Sequence, residues 1–154
     1  MFDSVDIANY FVNLGIVYDM PLTPIRLQEV IFFANGIYLA RLDDPLIKQS
    51  FEPWKYAPII PIVYETFKSW GYKPILKSSN SNTFVIDNKT LEIISDIWIV
   101  IRSVNPIKLS NWIHLTESPW FKEMNSNGIY NPIDTDDIKY HFRKSFNIEP
   151  IEII

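Results

Sequence analysis

The chain of 154 residues has no cysteine. Disulfides, thiolate metal ligands and cysteine nucleophiles are therefore excluded. A reducing compartment suits such a composition, so a cytoplasmic location is expected. Histidine occurs only as His114 and His141, too few for a zinc site that draws on at least three protein ligands unless carboxylates complete it. Only four glycines are present. Neither of the glycine-rich phosphate loops, G-x-x-x-x-G-K and G-x-G-x-x-G, is found, nor is the G-x-S-x-G nucleophile elbow. No cofactor and no metal are expected. Long apolar runs are also missing: a run such as Ile97 to Ile101 falls far short of the roughly 18 residues of a membrane span. The N-terminus, MFDSVDIANYF, carries acids where a signal peptide carries Lys or Arg. With a formal net charge of −4, the chain lacks the overall basic footprint of a nucleic-acid binder.

What is present points to a packed core. Hydrophobic residues make up 47% and aromatics 15% of the chain, a globular rather than a disordered composition. No repeat or low-complexity linker divides it, so one domain over residues 1–154 is expected. The fold class expected is mainly α (α+β): a compact bundle of about six helices, a small antiparallel β element, and an extended segment rich in aromatics and proline.

That segment, Phe51 to Gly71, reads FEPWKYAPIIPIVYETFKSWG and organises the rest. Pro53, Pro58 and Pro61 bias the residues before them away from helix, so the first part is extended. Ile59, Ile62, Val63, Phe67 and Trp70 then follow helical spacing, and Gly71 sits where a glycine ends a helix. A stiff corner of aromatics beside proline serves either as core structure or as contact anchors for a partner.

Helices are expected at Ser4–Tyr18, capped by Asp3 or Ser4, and at Pro24–Leu42, capped by Thr23. Others are expected at about Lys89–Val104, Leu109–Leu115 with Ser110 as cap, and after Thr135 with Asp136 and Asp137 at its positive end. Asn105-Pro106 and Ser118-Pro119 read as helix breaks, and Asn125 to Asn131 as a loop. Lys73–Lys77 and Thr83–Ile86 are expected to pair as a hairpin across the polar loop Ser78–Asn82. Asn9 and Asn13 mark the water-facing side of the first helix. Gly36, inside the second, implies close approach of another backbone. Gln28, Asn35 and Arg41 read as solvated or locally satisfied.

Chemistry is sparse. His114 and Glu117 form H-x-x-E, which on one helical face could share a proton or a metal, or could be structural. His141 reads as solvent-facing. The run Asp134-Thr135-Asp136-Asp137 lacks the glycine and closing glutamate of a calcium loop and is explained by helix capping.

Several segments together resemble a known family. They are Leu22-Thr23-Pro24-Ile25-Arg26-Leu27-Gln28, then Ala34-Asn35-Gly36-Ile37-Tyr38-Leu39-Ala40, and then Phe51-Glu52-x-Trp54-Lys55-Tyr56-Ala57-Pro58-x-x-Pro61-x-Val63-Tyr64-x-x-Phe67. With His114 and Pro119-Trp120 they are similar to the Panacea domain, the SocA-like and GepA-like group of phage-associated proteins. The resemblance runs over nearly the whole chain, with the Trp-Lys-Tyr-x-Pro segment its specific part. Ala57 stands where the family commonly has glycine, and Asn35 where histidine or glutamine is frequent.

The resemblance implies an interaction protein rather than an enzyme. Such a protein is an antitoxin that binds and neutralises a cognate toxin, or an adaptor that delivers its partner to a protease. Alternatives are a phage- or mobile-element-encoded inhibitor of a host defence or regulatory protein, and a small enzyme using His114 and Glu117. Some members carry an extra DNA-binding segment; this acidic chain, taken up by the domain, is expected not to bind nucleic acid. The candidate partner-binding residues are Trp54, Lys55, Tyr56, Pro58, Pro61 and Tyr64, of which Trp54, Pro58 and Pro61 serve equally well as scaffold. Gln28, His114, Glu117 and Trp120 are candidate structural or polar-site residues. The loop Ser78–Asn82 and the C-terminal tail are candidates for partner specificity.

Overall fold

A computed structural model describes residues 1–79 and 86–151 of the chain. Within them lie seven α-helices and one two-stranded antiparallel sheet. No described helix is long and apolar enough to cross a membrane.

Helix α1 (Ser4–Val17) begins where the Asp3 side chain accepts a hydrogen bond from the Val5 N–H. Its stripe of Ile7, Ala8, Phe11 and Val12 is fully buried. Asn13 is exposed as expected, but Asn9 is not: it is buried against the chain after Gly71. Its side-chain oxygen accepts the Ser79 N–H at 2.9 Å and its Nδ2 donates to Ser79 Oγ at 2.8 Å. A buried amide needs such partners, and here they come from 70 residues away.

Helix α2 (Pro24–Leu42) keeps the expected bounds. Thr23 accepts from the Arg26 N–H, Pro24 occupies the first turn, and Asp43 ends the helix in the left-handed conformation. Every residue from Leu27 to Ala40 is buried, which makes α2 the axis of the bundle. Gly36 is there for a close approach, but by a side chain: a Cβ at this position would collide with the ring of Phe142. Gln28 and Asn35 are buried too and are satisfied at long range, not locally. Asn35 Oδ1 accepts the Leu46 N–H at 3.0 Å and so fixes the turn after α2.

Strands β1 (Glu52–Trp54) and β2 (Ala57–Ile59) pair antiparallel, with Glu52 opposite Ile59, Pro53 opposite Pro58 and Trp54 opposite Ala57. The β element therefore lies inside the aromatic segment. Lys73–Lys77 is not a strand; its Ile75 N–H instead donates to the Leu22 carbonyl at 2.8 Å. Of the expected partner strand Thr83–Ile86, all but Ile86 fall outside the described residues. Two prolines facing each other would break an interior ladder, but both strands here are edges, where proline is tolerated.

Helix α3 (Pro61–Phe67) tightens into a 3₁₀ turn over Lys68–Trp70 and stops at Gly71, whose φ is +59°. Helix α4 (Asn88–Ser103) is capped by Asp87. Helices α5 (Pro106–Ile113) and α6 (Pro119–Ser126) start at the two sites read as breaks. Asn105 accepts the Ile107 N–H and Ser118 the Phe121 N–H, so each Asn-Pro or Ser-Pro pair is a cap followed by proline at the first helical position. Part of the expected loop at 125–131 thus belongs to α6. Helix α7 (Thr135–Phe146) is capped by Asp134 rather than Thr135 and packs along α2.

Candidate functional site

The hairpin, whose two-residue tip is Lys55-Tyr56, is held along its length by side chains from three directions. Gln28 reaches from α2 to Ile60, where β2 passes into α3. Its Oε1 accepts the Ile60 N–H at 2.9 Å and its Nε2 donates to the Ile60 carbonyl at 3.3 Å. Both bonds are buried, where they are stronger and more costly to lose than in water. His114, the cap residue of α5, places Nε2 2.5 Å from the Tyr56 carbonyl and Nδ1 2.6 Å from the Ser110 carbonyl. Trp120, on α6, donates from Nε1 to the Trp54 carbonyl at 2.8 Å. The rings of His114 and Trp120 meet edge to face with centroids 4.6 Å apart. The bonds from Gln28, His114 Nε2 and Trp120 go to backbone and fix where the hairpin lies, while the Ser110 carbonyl orients the His114 ring.

An aromatic ridge is made up of Trp54 and Tyr56 of the hairpin with Tyr64 of α3 and Tyr130 from outside it. Trp54 is half-buried and packs edge-on against Tyr64 at 5.1 Å and Tyr130 at 5.9 Å between centroids. Tyr56 is 71% and Tyr130 65% exposed. The Lys55 ammonium sits 5.3 Å from the Tyr56 ring centroid, within cation–π range. Pro58 is buried in β2 and Pro61 opens α3. Tyr130 is the member that sequence reading missed. It lies in a loop with positive φ at Gly128 and Tyr130, and the Ile133 N–H, donating to the Phe51 carbonyl, holds that loop beside the hairpin. Only the polar, glycine-bearing run NSNGIYN hinted at an unusual turn there.

His114 and Glu117 do not share a helical face. His114 ends α5 and Glu117 lies exposed in the following turn, beside His141 at the border of a surface pocket. Among the described residues no group of three or more His, Asp or Glu is placed to hold a metal ion. His141 is also not simply solvent-facing. Its ring stacks on Trp112 at 4.9 Å with 27° between planes, and its Nε2 is buried without a hydrogen-bond partner among the described residues. Burial pushes its pKa below the ordinary value of 6.5, with the Glu117 charge opposing in part. The neutral ring is thus the form the fold favours. Its stabilising contribution is present above pH 6.5 and is lost as pH falls through the depressed folded value. Burial raises the Glu29 carboxyl, which acts in the opposite sense. The His141 component is therefore read as a difference: between pH 7 and 5, the melting temperature of wild type is expected to fall more steeply than that of His141→Phe.

The ridge and its three anchors define the class of molecule: an α-helical scaffold that holds a short hairpin with aromatic side chains on and beside it. The chain belongs to the family described as antitoxin SocA-like, Panacea domain, whose profile matches residues 27–121. The matched stretch includes Gln28, the hairpin, His114 and Trp120, while α1 and α7 lie outside it. Among curated proteins it is similar to Antitoxin SocA of Caulobacter vibrioides (strain NA1000 / CB15N), at 32% identity over 60 residues. That alignment covers 39% of this chain and 32% of the relative, so the chain spans about a third of that protein's length. No solved structure matches.

Proposed function

We propose that this chain is an antitoxin that binds a cognate toxin protein and neutralises it by covering it, acting in the cytoplasm without chemistry of its own. Family membership supports the antitoxin class, and a toxin partner follows from the kind of protein the relative is named as. The observation that carries the binding mode is the exposed ridge on a hairpin whose backbone is held by Gln28, His114 and Trp120. Rigid Tyr and Trp side chains give large contact area for little loss of conformational freedom, and they recur among the residues that dominate interface energy. In this reading Tyr56, Tyr64, Trp54 and Lys55 contact the toxin, with Tyr130 added to them. Pro58 and Pro61 set the direction of the hairpin.

Co-expression tests the proposal. The gene adjacent to this one is induced alone and together with this chain, and growth is followed with the level of the neighbour's product. Arrest alone and growth in company, with the product persisting, is the result expected of neutralisation by binding. Growth restored while the product disappears would identify delivery to a protease instead. A harmless neighbour, with a captured partner drawn from a defence or regulatory system, would point to an inhibitor.

A further inference from the structure

Helix α7 follows every other described helix in the chain and is docked by few contacts. Ile138 and Phe142 are its buried residues. At the C-terminal end of α2, Lys139 pairs with Asp43, and Arg143 Nε donates to the Ala40 carbonyl at 3.0 Å. On the α5 side the joint is made of rings. Trp112 meets Phe33 of α2 at 6.2 Å and Phe142 and Phe146 of α7 at 4.9 and 5.0 Å between centroids. The His141 ring lies stacked on it.

That ring has no place for a second proton while α7 is docked. A neutral imidazole keeps one nitrogen bare, whereas the charged ring carries N–H on both. Its Nε2 is buried without a hydrogen-bond partner among the described residues. Protonation would therefore bury a charged donor with no acceptor, which costs more than leaving a neutral one unmet. The face of Trp112 attracts a cation and works the other way, but a stacked indole supplies no acceptor for the N–H. The charged groups that border the ring are Glu117 in the turn after α5, Lys122 of α6, and Asp137 and Lys144 of α7 itself. Burial is the largest influence on the ring and disfavours the charge. Glu117 opposes it, and Lys122 and Lys144 add to it.

We propose that His141 is an acid-released latch: when its ring takes up a proton, α7 lifts from α2 and α5 while the rest of the bundle stays folded. Lifting gives Nε2 to water, and it breaks only the contacts that α7 makes. It uncovers Phe32, Phe33 and Trp112 and the notch at Gly36 that the Phe142 ring fills, an apolar groove along the central helix. The latch does not depend on the toxin-binding reading, since none of these residues belongs to the ridge.

Amide hydrogen exchange of the full chain tests it, read as protection factors at pH 7 and pH 5. The reference is His141→Phe, which keeps a flat ring for Trp112 and has no proton to take up. A reference is needed because burial and the neighbouring acids, Asp134 first, raise the Asp137 carboxyl, so that group tightens α7 in acid in both proteins. From pH 7 to 5 the opening of α7 is expected to rise about 5- to 25-fold more in wild type than in His141→Phe. The upper figure, about 25-fold, is the limit for one histidine that titrates at about 6.5 when released and not at all when docked. At pH 5 the α7 amides of wild type are expected to be at least about tenfold less protected than those of α2, the mark of a unit that opens by itself. An equal change in the two proteins would overturn the proposal, because the ring would not then govern α7. So would α7 amides that exchange only together with those of α2, because acid would then unfold the bundle as a whole.

Discussion

Phe142→Ala is expected to destabilise the chain by about 3–5 kcal/mol, a large part of the roughly 5–15 kcal/mol that holds a domain folded. Phe142 is fully buried. Its ring packs against Trp112 at 4.9 Å, Phe33 at 5.7 Å, Phe32 at 5.8 Å and Phe146 at 5.8 Å. Only Ile138 and Phe142 are buried on α7, so removing the ring takes away a large part of the apolar contact that docks that helix. The exposed ion pair of Lys139 with Asp43 at 2.8 Å is a poor substitute, because surface pairs contribute little. Urea unfolding measures the loss.

The same contact predicts an unusual sign for Gly36→Ala. In an ordinary helix the change gains about 1 kcal/mol of propensity. Here the new Cβ meets the Phe142 ring, and overpacking of about 1–3 kcal/mol is expected to win. Phe142→Leu should relieve it, so the double variant should be more stable than the two single changes add up to. A neutral or stabilising Gly36→Ala would mean that α7 does not lie on α2 in this way.

The second large effect is expected from Gln28→Leu, about 2–5 kcal/mol. The substitution keeps the bulk but strips both partners from Ile60, whose N–H and carbonyl are bonded to Gln28 in the buried interior. Each buried group left unsatisfied costs about 1–3 kcal/mol. The loss is local as well as global. Exchange of the Ile60 amide hydrogen should accelerate well beyond the rise that the lower global stability accounts for, since Gln28 closes the base of the hairpin. A stability within about 0.5 kcal/mol of wild type, the range of an unremarkable surface change, would show that these bonds are not made.

Much of this fold is legible in the sequence where a local rule decides. The start of helix α2 is legible because Thr23-Pro24 is a cap with proline after it. The same signature stands at Asn105-Pro106 and Ser118-Pro119, yet those pairs read as ends. Proline forbids helix just before it and favours helix just after it, so one dipeptide marks both. That ambiguity hid α6 and shifted α5. The hairpin was displaced for a related reason: Pro53 and Pro58 argue against a ladder unless both strands are edges, which is a tertiary fact.

The site was half legible. Trp54, Tyr56 and Tyr64 stand out as aromatics beside proline, and Gln28, His114 and Trp120 as polar groups among apolar ones. What the sequence does not display is that these polar groups bind the hairpin's backbone across separations of 32, 58 and 66 residues. Asn9 failed in the same way, read as water-facing because its partner Ser79 is 70 residues distant. A polar residue on a helix advertises a need for hydrogen bonds and says nothing of who meets it. Tyr130 was invisible because a left-handed turn, not a periodic element, brings it to Trp54.

The measurement that bears most directly on the proposed function is a paired capture from native cells, using tagged wild type and tagged Tyr56→Ala/Tyr64→Ala. Tyr56 is 71% and Tyr64 40% exposed, so the cost to folding is expected to be chiefly that of the Trp54–Tyr64 ring contact, about 0.5–1.5 kcal/mol. Wild type is expected to retain a stoichiometric protein that is toxic when expressed alone. The variant should bind that protein at least about 30-fold more weakly, the loss of one interface hot spot. Equal capture of the toxic partner by both would contradict the account, because the hairpin ridge would then not be the surface that holds it.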